Sequence, residues 1–173
     1  MKLFETYHLK SSKVDVLCLT HGHLDHTWGV LPWLQSMALD NRSQPLLVIG
    51  PTTEGVIDAM LSGQPLPEDT PHSDLSLQYR FWHQLGGTSS NLGYEVRWVL
   101  GAVNSNRWIE FLEHSEIIEL SEMPQPEGWQ HNRIEAIPTV HTIPSCAWQV
   151  SSKNKKGKFN RSRAIELGLS EDE

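Results

Sequence analysis

Apolar positions in the first third of the chain follow two periods. Residues 14–19 (Val14-Asp15-Val16-Leu17-Cys18-Leu19) form a short run rich in β-branched residues and bounded by polar ones, which predicts a buried strand. Over residues 27–38, Trp28, Leu31, Leu34 and Met37 recur at three-residue steps, the spacing of one helical face. Pro32 falls in the opening turns, where proline is tolerated. After the loop signal Asp40-Asn41-Arg42-Ser43-Gln44 the pattern repeats. Residues 46–49 predict a second strand, and residues 53–61 a second helix with Val56, Ile57, Met60 and Leu61 on one side. Strand–helix–strand–helix order predicts a layered α/β arrangement.

Beyond residue 61 the pattern is less regular. Pro65, Pro67 and Pro71 predict a loop or an ordered crossing segment across residues 62–74. Residues 75–82 and 94–99 alternate enough to predict strands, although residues 82–85 fit a helix equally well, and residues 108–112 are ambiguous. Residues 117–120 predict a strand ending in the turn Ser121-Glu122-Met123-Pro124. Residues 134–140 and 146–150 predict an antiparallel pair presenting His141 at the turn between them, and residues 162–167 a short helix ended by Gly168. The run Gly86-Gly87-Thr88-Ser89-Ser90 lacks the lysine and the strand–helix setting of a phosphate-binding loop, so it predicts a flexible connection.

At 173 residues, 38% hydrophobic and 20% charged, the chain has the composition of one soluble globular domain. It contains no apolar stretch of membrane-spanning length and no apolar signal core, which predicts a cytoplasmic protein with no membrane partner. Cys18 and Cys146 lie in apolar strand-like segments without metal-ligand spacing and are expected as buried free thiols. A net charge of −7 argues against nonspecific coating of nucleic acid. One segment runs against that balance: Lys153, Lys155, Lys156, Lys158, Arg161 and Arg163, with no acidic residue among them. It reads either as a solvated face or as a grip on phosphates. The tryptophans, Trp82, Trp98, Trp108, Trp129 and Trp148 among them, are spaced like core aromatics rather than base-stacking platforms.

The chemistry concentrates in His21-Gly22-His23-Leu24-Asp25-His26, directly after the first predicted strand. Three imidazoles and a carboxylate within one turn are donors suited to Zn²⁺ and similar ions. In an extended backbone, positions 21, 23 and 25 would point one way, with His26 on another side, so that two neighbouring ions could be served. His72, His83, His114 and His131 have no partner at ligand spacing.

This run is the hallmark of the metallo-β-lactamase superfamily, and the chain resembles its ribonuclease Z branch. The similarity includes Ser11-Ser12-Lys13-Val14-Asp15, Trp28-Gly29-Val30-Leu31-Pro32, the strand and turn Pro45-Leu46-Leu47-Val48-Ile49-Gly50-Pro51, and Val140-His141-Thr142-Ile143-Pro144-Ser145. It continues through Lys156-Gly157-Lys158-Phe159-Asn160 to Ala164-Ile165-Glu166-Leu167-Gly168. The resemblance implies an αββα sandwich, represented here by a single incomplete domain over residues 1–173. Residues from about 153 onward would begin a basic tail leading toward a tRNA-binding arm.

The same resemblance implies one metal on His21, His23 and His141, and a second on Asp25 and His26, with Asp25 helping to orient or deprotonate water. The reaction implied is endonucleolytic hydrolysis of the phosphodiester at the 3′ end of precursor tRNA by metal-activated hydroxide. The cofactor would be Zn²⁺, two per complete site. The family's bridging aspartate and final histidine have no counterpart after His141, where the later carboxylates are Glu166, Glu171, Asp172 and Glu173. The chain therefore looks like the middle of such an enzyme, able to hold one zinc and expected to be weakly active or inactive alone. A homodimer is implied as well. The competing expectations are another hydrolase of the superfamily (a phosphodiesterase, lactonase or thioesterase) and a non-catalytic metal- or RNA-binding remnant.

Overall fold

A computed structural model describes residues 10–113, 116–153 and 161–168. Five strands form one sheet: β1 (Val16–Cys18), β2 (Leu46–Pro51), β3 (Val96–Ala102), β4 (Arg107–Phe111) and β5 (Ile117–Leu120), in that spatial order. The first three are parallel and the last two are added antiparallel. A second, two-stranded antiparallel sheet consists of β6 (Asn132–Pro138) and β7 (Cys146–Ser152). The helices are α1 (Leu24–Thr27), α2 (Val30–Leu39), α3 (Glu54–Ser62), α4 (Leu75–Gln84), α5 (Ser89–Leu92) and α6 (Arg161–Glu166).

The alternation of side chains along β2 shows how the layers form. Leu46 and Val48 point into a cluster with Leu34 and Met37 of α2, Ile57 and Met60 of α3, and Tyr79 of α4. Leu47 and Ile49 point the other way, into a cluster with Trp108, Ile134 and Trp148. Successive side chains of a strand face opposite sides of the sheet, so a strand buried over its whole length needs cover on both. Helices supply one cover and the β6–β7 hairpin the other. The expected layered α/β fold is thus present as helix layer, sheet and second sheet.

Arg42 anchors the approach to β1. The residue is only 5% exposed, and its guanidinium donates to the carbonyls of Ser11, Val14, Gln44 and Pro45 and lies 5.4 Å from the Tyr94 ring centroid.

Several local expectations need correction. Residues 75–82 are helical, not extended. Asp74 caps α4 by accepting from the Ser76 amide at 2.8 Å, and the buried Leu75, Tyr79 and Trp82 follow helical spacing. The predicted helix over residues 27–38 is divided at Gly29, giving α1 and α2. Because α1 begins at Leu24, the metal-motif backbone is extended only at its start, and Asp25 lies on a helical turn. Residues 86–90 are not a loose connection: α5 begins there, and the Gly87 carbonyl accepts from Trp98 Nε1 at 2.9 Å. Residues 108–112 resolve as β4. Lys155, Lys156 and Lys158 of the basic run, with the Lys156–Asn160 stretch, lie outside the described residues, as do His114 and the acidic C-terminus.

Trp82, Trp98 and Trp108 are core residues, as expected, whereas Trp28 is 76% exposed. Cys18 and Cys146 are free thiols, and burial raises the pKa of each to about 12. Among the described residues no helix is long and apolar enough to cross a membrane.

Candidate metal centre

The loops that leave the carboxyl ends of parallel strands commonly carry the site in α/β folds, since the strands converge there and the helices start beyond them. Here β1 ends at Cys18 and His21 and His23 follow within five residues. His141 arrives from more than a hundred residues away, on the turn between β6 and β7.

That turn is fastened to the end of β1 by a chain of contacts. The Cys146 amide donates to the Thr20 carbonyl at 2.9 Å, His21 and Ser145 form an isolated antiparallel bridge, and Trp148 Nε1 donates to the Leu19 carbonyl at 2.9 Å. Within the turn, the Ser145 and Thr139 hydroxyls are hydrogen-bonded at 2.9 Å.

The result is a compact trio. The His21 ring centroid lies 4.9 Å from that of His23 and 4.8 Å from that of His141, and the last two are 5.0 Å apart. One ring nitrogen from each can be chosen so that all lie within 4.8 Å of one another. Zinc binds imidazole nitrogen at about 2.0–2.1 Å, and tetrahedral catalytic sites take three protein donors and keep a position open. The trio fits such an ion after a small inward movement of the rings.

Burial lowers the pKa of His21, and the neighbouring His26, His141 and His23 lower it further, with Asp25 opposing them. All of the dominant causes favour the neutral ring, which is the form that ligates. His21 Nδ1 is 2.9 Å from the Thr20 hydroxyl, so an Nε2 lone pair aimed at an ion leaves Nδ1–H to donate to it.

Asp25 and His26 stand beside the trio rather than in it. The His26 ring centroid lies 4.6 Å from that of His21, and His26 Nε2 is 3.5 Å from Asp25 Oδ2. Both side chains are more than half exposed. Among the described residues they have no third donor of their own to complete a second metal position.

The motif is held from behind by residues that sequence reasoning missed. Gln78 of α4 donates from Nε2 to the Gly22 carbonyl and, at 2.8 Å, to the Ser73 carbonyl, while its Oε1 accepts from the Thr27 hydroxyl at 2.6 Å. Gly22 allows this approach, because a Cβ at that position would come within 2.0 Å of the Ser73 carbonyl oxygen. Asp74, buried and accepting from the Thr52 hydroxyl at 3.1 Å, fixes the start of the same helix. Burial raises its pKa. The glycine between two histidines was a readable signal for close approach; Gln78 gave none, because its segment alternated like a strand.

Residues 8–75 match the Metallo-beta-lactamase superfamily. Over that stretch the chain resembles this superfamily. It is also similar to ribonuclease Z. It is 33% identical over 60 residues to the ribonuclease Z of Clostridioides difficile (strain 630), a match covering 35% of this chain and 19% of the relative. With the ribonuclease Z of Methanosarcina mazei it shares 27% over 151 residues, 87% of this chain and 35% of the relative. With that of Thermococcus kodakarensis the identity is 26% over 174 residues, 99% of this chain and 40% of the relative. The chain thus spans well under half the length of these curated relatives. The layered fold brings the His21–His26 run and His141 together at one end of the sheet.

Proposed function

We propose that this chain carries the metal-binding half of a zinc-dependent endoribonuclease of the ribonuclease Z type, acting on the phosphodiester at the 3′ end of precursor tRNA in the cytoplasm. One observation carries the reading: His21, His23 and His141, from opposite ends of the sequence, present ring nitrogens within 4.8 Å of one another at one end of the sheet. His21, His23 and His141 would hold one zinc ion. When bound, the ion supplies Lewis acidity and a nucleophile at neutral pH.

The residues of the chain do the rest. The neutral His21 ring avoids a proton–metal competition, and the Thr20 hydroxyl, 2.9 Å from Nδ1, would accept the Nδ1 proton once Nε2 holds the ion. Asp25, exposed beside the trio, would orient water and accept a proton from it. Among the described residues Asp25 and His26 offer a second ion only two donors, so a second zinc would be held weakly and the clamp on the leaving oxygen would be poor. Weak hydrolysis by the isolated chain follows. A homodimer belongs to the same reading, and the exposed Leu24 and Trp28 would offer it an apolar surface.

Metal analysis and cleavage assays test the proposal together. The expected result is about one tightly held zinc per chain, lost in His141→Ala, with slow zinc-dependent cleavage of precursor tRNA. A chain that binds no zinc, or one whose zinc persists in His141→Ala, overturns it. The incomplete second position favours one other reading, a metal-binding protein without hydrolytic activity; zinc binding without any cleavage would select it.

A further inference from the structure

A cleft of about 430 Å³ opens beside the trio and shares His141 with it. Its walls come from the loops after β2 and β3, the segment before α4, and the turn that presents His141. Its volume falls within the roughly 300–1,000 Å³ of small-molecule sites.

The lining has two distinct characters. Pro51, Pro71 and Pro144 give rigid apolar walls, suited to the flat faces of a base or a sugar. The polar groups include two carboxylates, Glu54 and Asp69, and neither lysine nor arginine lines the cleft. A phosphate would meet repulsion there. A neutral group rich in hydroxyl and amino donors would meet acceptors.

Many of the other polar groups are already engaged. The Thr53 hydroxyl caps α3 by accepting from the Val56 amide, the Thr52 hydroxyl donates to Asp74, and Thr139 and Ser145 bind each other. Glu54 lies 3.5 Å from Arg107, whose closer partners are Asp58 and Glu119. Asp69 and Asn104 also line the cleft, and among the described residues neither side chain has a hydrogen-bond partner. A carboxylate is a good acceptor for a ribose hydroxyl, and a carboxamide offers both a donor and an acceptor to a base edge.

We infer that this cleft is a subsite for one ribonucleoside unit of a single strand, adjoining the phosphate bound at the His21–His23–His141 centre. The inference rests on the nuclease reading for its orientation, with phosphate at the metal and the sugar and base in the cleft. The ribose hydroxyl at Asp69 gives the subsite a preference for RNA over DNA.

The test uses the full chain, with separate titrations of zinc, uridine, 2′-deoxyuridine and inorganic phosphate followed by amide resonances. Uridine is expected to shift the amides of Asn104, Ser105 and Ile143, with 2′-deoxyuridine binding about fivefold more weakly, the effect of one hydrogen bond. Ser105→Trp, which fills the cleft, should weaken uridine by more than about tenfold while leaving zinc affinity unchanged. Asp69→Asn should narrow the difference between the two nucleosides. Phosphate shifting the same amides, equal binding of the two nucleosides, no nucleoside binding, or indifference to Ser105→Trp would each overturn the inference. Zinc binding reports separately on the metal centre: zinc bound without uridine sinks the subsite alone, and failure to bind zinc sinks the nuclease reading.

Discussion

Gln78→Ala is the sharpest probe of how the metal motif is held. The side chain donates to the carbonyls of Gly22 and Ser73 and accepts from Thr27, and Gln78 is 7% exposed. Truncation leaves two carbonyls without this donor and leaves the Thr27 hydroxyl only its longer bond to the His23 carbonyl at 3.3 Å. A buried polar group deprived of its partner costs about 1–3 kcal/mol, and partial relaxation makes the three less than additive. We expect a loss of about 2–5 kcal/mol, a large part of the roughly 5–15 kcal/mol typical of a domain. Freeing the Gly22 carbonyl also loosens the backbone between His21 and His23. Zinc affinity should therefore fall about 10–100-fold, as when an outer partner of a metal ligand is removed.

Gln78→Glu separates the hydrogen bonds from the packing. It keeps the shape but turns an acceptor oxygen toward two carbonyl oxygens. It should be at least as damaging as alanine at pH 8, and recover as pH falls. The sign follows from burial, which raises a carboxyl pKa above its unfolded value, so that the folded state binds the proton more tightly and gains stability toward acid. Urea unfolding without metal and chelator competition for zinc measure the two effects. If Gln78→Ala unfolds within about 0.5 kcal/mol of the parent and holds zinc equally well, the clamp is not what orders the motif.

Three further outcomes are expected. Gly22→Ala should disrupt the motif more than any exposed substitution, because the new methyl would meet the Ser73 carbonyl oxygen at 2.0 Å; loss of zinc binding together with a lowered unfolding midpoint checks it. Arg42→Ala should cost about 2–4 kcal/mol by leaving the carbonyls around β1 without donors, read from denaturant unfolding, while Arg42→Lys should recover only part because one ammonium cannot span them. Cys18 and Cys146, with pKa values of about 12, should resist alkylation in the native protein at pH 8, where about one thiol in ten thousand is ionised, and react fully once unfolded. Since their folded pKa values lie above the unfolded value, stability should decline as pH rises beyond about 9, and less steeply in a variant with both replaced by alanine.

The parts of this molecule legible in its sequence are those governed by local rules. The apolar run of β2 and the capped, one-sided α3 follow directly from side-chain period and from Thr53. The motif His21–His26 announced metal chemistry because its donors are sequence neighbours. His141 was readable only through its resemblance to a known motif, since the contacts that deliver it, from Cys146 and Trp148 to the end of β1, span more than a hundred residues. Residues 75–82 misled for a physical reason: Leu75, Leu77 and Tyr79 alternate as in a strand, yet the Asp74 cap and the burial of Tyr79 and Trp82 against the sheet select the helix.

That one element also decides the site. As a strand, residues 75–82 would project Gln78 and Tyr79 to opposite faces. As a helix, they put Tyr79 into the core beside Trp98 and Gln78 against Gly22. The packing of the core and the posture of the metal motif are therefore set by the same ten residues. A substitution that weakens α4, even one far from the histidines, should cost zinc affinity along with stability.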